Sequence, residues 1–127
     1  MKFRYILKNK HTGVIHKKVY TLNQIQEGGL SNLFDVENYA IIAINQFTGL
    51  ADKNGKEIYE GDILKGKFDS AIYRVDFKKG KFVLNHILKY MPDNWGDLSR
   101  LFDNDMVELY NDIVVIGNIH ENSDLLK

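Results

Sequence analysis

No cysteine occurs among the 127 residues of the chain, and proline occurs only once. The lack of cysteine excludes disulfides, thiolate zinc sites and thiol nucleophiles, and it fits a reducing compartment. The longest apolar run, residues 39–44, is far shorter than the ~20 residues that span a bilayer, and we expect no signal peptide. These absences predict a soluble cytoplasmic protein without a membrane partner.

Length and composition are those of one globular domain, with 44% hydrophobic and 27% charged residues. The net charge is zero, but residues 1–20 hold six Lys or Arg and no acid, whereas residues 91–127 hold two Lys or Arg and eight Asp or Glu. The opposite charges of the two ends predict that the ends contact each other, within one subunit or between neighbouring subunits. The alternative is two solvated faces that never meet, because exposed ion pairs contribute little.

The first strand is predicted at residues 2–8, which alternate between apolar and polar residues as half-buried strands do. Residues 2–8 and 14–20 flank a turn at residues 9–13, so together they predict an N-terminal hairpin. Thr21 and Gln24 have the spacing of a capping box, which predicts that a short helix follows.

Short strands are also predicted through the rest of the chain, whereas residues 30–38 could form a helical turn or an ordered loop. Residues 39–46 are apolar on both faces and predict a strand buried on two sides. Further strands are predicted at residues 57–60, 71–77, 81–88, 106–110 and 113–119, with a helical turn at 98–102. In the strand at 71–77, the side chains expected to face inward are Ala71, Tyr73, Val75 and Phe77.

The stretch with the clearest local structural signals is residues 47–64, FTGLADKNGKEIYEGDIL. Its Asn54-Gly55 pair tolerates positive φ and predicts a tight hairpin turn at residues 53–56. Asp52 is expected to be one of the solvated polar residues that flank this turn. Gly61-Asp62 interrupts the apolar run that follows, as a bulge or a sharp bend into a second strand would.

Part of this stretch, TGLADKNGKEIYEGDIL, closely resembles the segment that marks the YopX family of small phage and prophage proteins. Residues 115–126, VIGNIHENSDLL, are similar to the usual closing segment of that family. The resemblance covers mainly residues 46–127 and implies a mixed chain with a barrel-like β portion, encoded in a prophage of a Gram-positive bacterium. It implies no active site, because the biochemical role of the family is unassigned.

Pattern and resemblance together predict an α+β fold of mostly antiparallel strands. We expect a small, partly open β-barrel with an N-terminal hairpin and one or two short helices. Residues 1–45 are predicted to form the hairpin and a short helical annex, and residues 46–127 the YopX-like barrel portion, the two packed as one domain.

No motif predicts a catalytic residue, a cofactor or a metal site. Gly49 and Gly55-Lys56 have the wrong spacing for a phosphate-binding loop, and Glu57 stands where that loop needs Ser or Thr. The acidic groups at residues 52–57 and 103–105 do not form a calcium loop and are interpreted as turns. The four histidines show no ligand spacing; they are His11, His16, His86 and His120. Of these, His120 would be the first choice for a role, because it lies in the family-like closing segment.

Two functions of different classes remain open. A non-enzymatic phage accessory protein would act through contacts with phage or host proteins and through homo-oligomers, which the opposed charges of the two ends favour. A nucleic-acid-binding barrel would use lysines that cluster in sequence near aromatic residues. These lysines are Lys65, Lys67, Lys78, Lys79 and Lys81. An enzyme is the least favoured, since its site would need residues that spacing does not reveal.

Overall fold

The computed structural model describes residues 1–66, 72–86, 96–97 and 113–122, which form nine strands and two helices. The paired strands are antiparallel, so the α+β prediction is confirmed, and the sheets of the described residues form no closed barrel. The chain divides into two compact units, Met1–Phe47 and Thr48–Lys127. That residues 1–45 and 46–127 pack as one domain stays a prediction.

The first unit contains β1 (Lys2–Asn9), β2 (Ile15–Thr21), α1 (Leu22–Gly28), α2 (Leu30–Leu33) and most of β3 (Tyr39–Ala51). The second unit contains the end of β3 and the remaining strands. These are β4 (Glu57–Tyr59), β5 (Asp62–Lys65), β6 (Ile72–Lys78), β7 (Lys81–His86), β8 (Gly96–Asp97) and β9 (Val114–Asn118). The strand orders of the two sheets are β2-β1-β3-β4 and β8-β7-β6-β5-β9.

Local chemistry starts α1 at the capping box that the sequence predicts, and a glycine ends it. The Thr21 hydroxyl accepts a hydrogen bond from the Gln24 N–H at 3.2 Å, and the Gln24 side chain accepts one from the Thr21 N–H at 2.8 Å. The predicted capping box is therefore confirmed. Gly29 ends the helix with φ of 66°, a conformation that costs glycine little.

Tyr20 joins the sheet of the first unit to α2. Its hydroxyl donates a hydrogen bond to the Leu33 carbonyl at 2.7 Å, and its ring meets the Tyr5 ring edge-on with centroids 5.2 Å apart. Burial, together with the neighbouring Tyr5, raises the pKa of the Tyr20 phenol above its ordinary value. The core of this unit lies between the sheet and the helices and contains Tyr5, Leu7, Tyr20 and Phe34, with Phe3, Ile25, Leu33, Tyr39 and Ile41 packed against them.

The third strand differs from its prediction in length and in burial. It continues to Ala51, and Ile42 and Ile44 are 45% and 48% exposed, so the prediction of a strand buried on two sides is wrong. Apolar residues on both faces do not require burial on both, because much of any protein surface is apolar. The register against β1 shifts between Ile6 and Leu7, as at a β-bulge.

The turn predicted at residues 53–56 is confirmed. The Gly55 N–H donates to the Asp52 carbonyl at 3.0 Å, and the Asp52 N–H donates to the Lys56 carbonyl at 2.8 Å. Gly55 carries the positive φ of this turn, at 81°. The core of the second unit lies beyond the turn and contains Ile58, Leu64, Tyr73, Val75, Leu84 and Ile113.

The hairpin between β6 and β7 turns through Lys79 and Gly80, with φ of 53° and 79°. Two successive positive φ values are the signature of the tightest hairpin turn. Tyr73 and Val75 are buried as predicted, but Phe77 is 42% exposed, so its prediction as an inward residue is wrong. Phe77 is one residue from the end of β6, where the core no longer covers that face.

Several predictions lie outside the described residues: the inward position of Ala71, the helical turn at 98–102, the strand at 106–110 and the acidic turn at 103–105. No helix in the described part of the chain is long and apolar enough to cross a membrane.

Candidate functional site

Asp52 organises the central turn. It is only 7% exposed, so the prediction that it is a solvated flank is wrong. One carboxylate oxygen accepts hydrogen bonds from the N–H groups of Asn54 and Lys56, each at 2.9 Å. The other accepts from the Val115 N–H at 3.0 Å. The carboxylate therefore closes the turn and also joins it to β9, through hydrogen bonds that its charge strengthens.

Gly61 and Asp62 form a second junction. The Gly61 N–H donates to the Val75 carbonyl at 2.7 Å, and the Gly61 carbonyl accepts from the Ile119 N–H at 2.9 Å. Asp62 is 1% exposed, and its carboxylate accepts from the Tyr59 N–H at 2.8 Å. The predicted bend between two strands is present here, and Gly61 makes it with φ of 87°.

The closing segment makes a tight turn after β9. The Asn118 side-chain oxygen accepts from the N–H groups of His120 and Glu121, each at 2.9 Å. The Asn122 side-chain oxygen accepts from the Asn118 N–H at 3.2 Å. A Cβ on Gly117 would overlap the Asn122 Oδ1 and lie 2.7 Å from its Cγ, so any other residue here would have to displace the Asn122 side chain.

These junctions bring the two family-like stretches together, because β5 pairs with β9 and Ile63 lies opposite Gly117. The carboxylates of Asp52 and Asp62 bind the backbone of the chain itself. Within the described residues, no three His, Asp or Glu side chains are grouped as metal ligands would be. The residues with the clearest signals in the sequence thus hold the second unit together.

The lysines proposed for nucleic-acid contact fall in two places. Lys78, Lys79 and Lys81 are exposed around the β6–β7 turn, with Lys78 opposite Lys81. Lys65 is also exposed, but it pairs with Ile72 at the other end of β6. Six residues of strand separate these ends by about 20 Å. Lys67 lies outside the described residues.

An aromatic pair accompanies the three lysines of the turn. The rings of Phe77 and Phe82 lie opposite each other across β6 and β7, with centroids 4.8 Å apart. Phe82 packs against the core, whereas Phe77 remains partly exposed. The β6–β7 hairpin end therefore offers both cations and an aromatic surface, on opposite faces of the strands because neighbouring residues alternate.

A groove in the first unit was not predicted from the sequence. Its volume is about 110 Å³, and its lining residues are Leu7, His16, Lys18, Phe34, Asp35 and Tyr39. Leu7 and Phe34 belong to the core and form its buried part. One wall of the groove was predictable from the sequence. Pairing the residues of the predicted hairpin outward from its turn at residues 9–13 places His16 opposite Leu7.

Charged and aromatic groups surround the opening of the groove. The His16 and Tyr39 rings meet edge-on with centroids 5.4 Å apart. The Asp35 carboxylate accepts hydrogen bonds from the Asn38 side-chain amide at 2.7 Å and from the Glu37 N–H at 3.2 Å. The Asn38 side-chain bond above all holds the pKa of Asp35 below its ordinary value, so Asp35 is an anion at neutral pH.

The four histidines belong to different elements of the fold. The ring of His11 lies 3.2 Å from the Asn38 side-chain oxygen, His16 contacts Tyr39, and the His120 backbone caps the closing turn. His86 ends β7.

Comparison with known proteins finds a matching family model. The family model described as YopX protein matches residues 3–127, so the match extends well beyond the residues 46–127 that carry most of the sequence resemblance. No curated protein matches the chain. Among solved structures, the chain is similar to one described as the crystal structure of protein EF1440 from Enterococcus faecalis. The two are 26% identical, the match covers 97% of this chain and 75% of that one, and the TM-score is 0.45.

Proposed function

The chain belongs to the YopX protein family, and we propose that it is a phage or prophage accessory protein of the bacterial cytoplasm that acts through protein–protein contacts. Its proposed partners are further copies of the chain and proteins of the phage or the host. It is proposed to bind, and not to catalyse a reaction.

The observation that carries this proposal is the surface of the first unit, which combines exposed cations with exposed apolar side chains. Lys10 and Lys18 are exposed, and Ile42 and Ile44 are about half exposed. Lys18 and Ile44 both lie directly opposite Tyr5 of β1, so they share one face of the sheet. Clustered apolar surface with a polar surround is what protein interfaces bury.

Strand addition at β2 does not suit this association. The second strand is at the edge of its sheet and carries the exposed residues Lys17 and Lys18. Lysines on an edge strand oppose pairing with a strand of another molecule. We therefore infer that side chains, and not an added strand, make the contact.

Charge supports a second copy of the chain as one partner. All charged residues among residues 1–20 are basic, whereas residues 91–127 hold eight acidic and two basic residues. Opposite charges on two molecules steer their association and favour one orientation. Such an association weakens as salt screens the charges.

Light scattering at several salt and protein concentrations tests the proposal. We expect a mass above the 14.7 kDa of one chain at low salt, with a shift toward one chain as salt rises. Ile44→Lys should reduce the mass, whereas Val14→Lys, at a residue that is 51% exposed in the hairpin turn, should not. A mass of one chain under every condition would contradict the proposed self-association.

A second candidate function is binding of single-stranded nucleic acid at the β6–β7 hairpin end. The observation that favours it is Lys79, which holds a positive φ where Gly or Asn would be less strained. A lysine in that position places its cation at the tip, near Lys78 and Lys81, while the exposed Phe77 lies on the opposite face of the hairpin. Bases stack on such aromatic side chains while cations contact the phosphates.

Fluorescence anisotropy with labelled dT and U oligonucleotides tests this candidate. Three lysines on phosphates predict a slope of about −2 for log K against log salt. Replacing Lys78, Lys79 and Lys81 with Ala should abolish the slope, and Phe77→Ala should weaken binding about fivefold or more. The matched control is Ala at Lys53 and Lys56, in the other exposed turn. Equal losses in the control would show general attraction and contradict the site.

A further inference from the structure

The groove of the first unit is small, partly apolar and charged at its opening. We propose that it receives one aliphatic side chain of an acidic protein segment, while a carboxylate of that segment binds Lys18 and His16. The proposal rests on the proposed function in one respect, namely that the partner is a protein. It adds where the contact is made and the chemistry that the partner must present.

The volume decides what kind of ligand the groove can hold. Sites that enclose a small molecule have volumes of roughly 300–1,000 Å³, and a cavity of roughly 150 Å³ holds a benzene molecule. At about 110 Å³ the groove is too small to enclose a metabolite. It has the size for one branched aliphatic side chain whose backbone stays outside.

The walls of the groove are held in place before any partner binds. Leu7 is 1% exposed in the core. The segment of residues 35–38 is tied at several points: the Tyr39 N–H donates to the Asp35 carbonyl at 3.0 Å, and the Lys10 N–H donates to the Asn38 carbonyl at 2.8 Å. The Lys10 ammonium also donates to the Val36 carbonyl at 3.2 Å. A preformed site loses little conformational entropy when it binds.

Charge determines the chemistry beside the apolar side chain. Lys18 and His16 are two residues apart on β2, so they share the face that also carries Leu7. Both are exposed, and within the described residues the Lys18 ammonium has no hydrogen bond or ion pair. Two donors beside an apolar groove suit a carboxylate, which accepts hydrogen bonds at both oxygens.

Asp35 sets the direction of the bound segment. Its carboxylate lines the groove and carries a negative charge at neutral pH, so it repels an acidic residue from that side. The acidic residue of the partner must therefore lie toward β2, next to Lys18. Asp35→Asn should remove this restriction and strengthen the binding of a segment that has acids on both sides of its aliphatic residue.

The experiment is a titration of the ¹⁵N-labelled full chain with the peptide acetyl-Glu-Leu-Asp-amide, followed by amide chemical shifts. We expect saturable shifts at Leu7, Lys18 and Phe34. Lys18→Ala should raise the Kd about threefold or more, because one charge-assisted hydrogen bond is lost. The matched control is Lys17→Ala, since Lys17 is the neighbouring lysine on the opposite face of β2, paired with Ile6.

Two further peptides separate the two parts of the proposal. The neutral peptide acetyl-Gln-Leu-Asn-amide should bind more weakly because it lacks the carboxylates, and acetyl-Glu-Ala-Asp-amide because it lacks the larger aliphatic group. Equal Kd values for the three peptides, equal losses in the two lysine variants, or no saturable shift would each overturn the proposal. Light scattering on the same samples reports self-association independently, so a failure of the groove and a failure of the proposed function are distinguishable.

Discussion

At the scale of single residues, polar side chains that look available for chemistry in the sequence bind the backbone in the structure. Asp52 accepts hydrogen bonds from three N–H groups, and Asn118 accepts from two. Burying a carboxylate without such partners would be costly, so each of these residues depends on the segment that it binds.

Asp52→Ala should lower the free energy of unfolding by about 3 kcal/mol. Hydrogen bonds to charged groups contribute roughly 1.5–3 kcal/mol each, and water can replace part of this in the exposed turn. Asp52→Asn keeps one acceptor oxygen and should lose about half as much. Urea unfolding measures both, and Asn54→Ala, in the same turn, should change stability by less than about 0.5 kcal/mol. A loss in Asn54→Ala equal to that in Asp52→Ala would contradict the role of the carboxylate.

Tyr20→Phe should lower stability by about 1 kcal/mol at neutral pH, because the Leu33 carbonyl loses its donor. Burial raises the pKa of Tyr20 in the folded protein above its ordinary value of 10.0, so the neutral phenol is favoured there. Its contribution is complete below pH 10.0 and is lost as the pH rises through the folded-state pKa. Urea unfolding from pH 8 upward should show the difference between the two proteins shrinking above pH 10, and a constant difference would contradict this.

At the scale of helices, strands and turns, structure that depends on near neighbours was predictable. The capping box joins Thr21 to Gln24, three positions later, and the turn at Gly55 is equally local. Contacts between distant residues were not predictable, because nothing at Asp52 indicates that its partner is Val115, 63 residues later.

Strand geometry also explains why the candidate sites were only partly predicted. Lys65 and Lys78 were predicted to belong to one cluster of lysines around two strand ends, but the length of β6 separates them. The groove depends on Leu7, Lys18 and Asp35, which three different segments bring together. Such a combination appears only when strand register and loop position are known.

Gly117→Ala should destabilise the chain by about 1–3 kcal/mol, as overpacking does. The added Cβ would displace the Asn122 side chain and break its hydrogen bond to the Asn118 N–H. Asn122→Ala should lose that hydrogen bond but remove the overlap. The double variant should therefore be more stable than the sum of the two losses predicts, which a double-mutant cycle measures. If the two losses of stability simply add, the overlap between a residue 117 side chain and Asn122 is not the cause of the loss in Gly117→Ala.

At the scale of the whole molecule, the two compact units share one strand, since β3 runs through residues 47 and 48 where they divide. Each unit has its own core. We expect a single unfolding transition, because a shared strand cannot unfold in one unit without disturbing its residues in the other. Amide signals of Leu7 and Val75 should disappear at the same urea concentration, and Asp52→Ala should lower both midpoints. Two separate midpoints would show that the units unfold independently.

The position of β9 beside β5 has a consequence for the chain as it is synthesised. A ribosome adds Ile63 of β5 54 residues before its partner Gly117 of β9, which at about 5–20 residues per second is an interval of roughly 3–11 seconds. Throughout that interval the fifth strand has an open edge that β9 will later cover. An open edge attracts strands of other nascent chains. Newly made protein is therefore vulnerable to mispairing in the seconds before β9 leaves the ribosome.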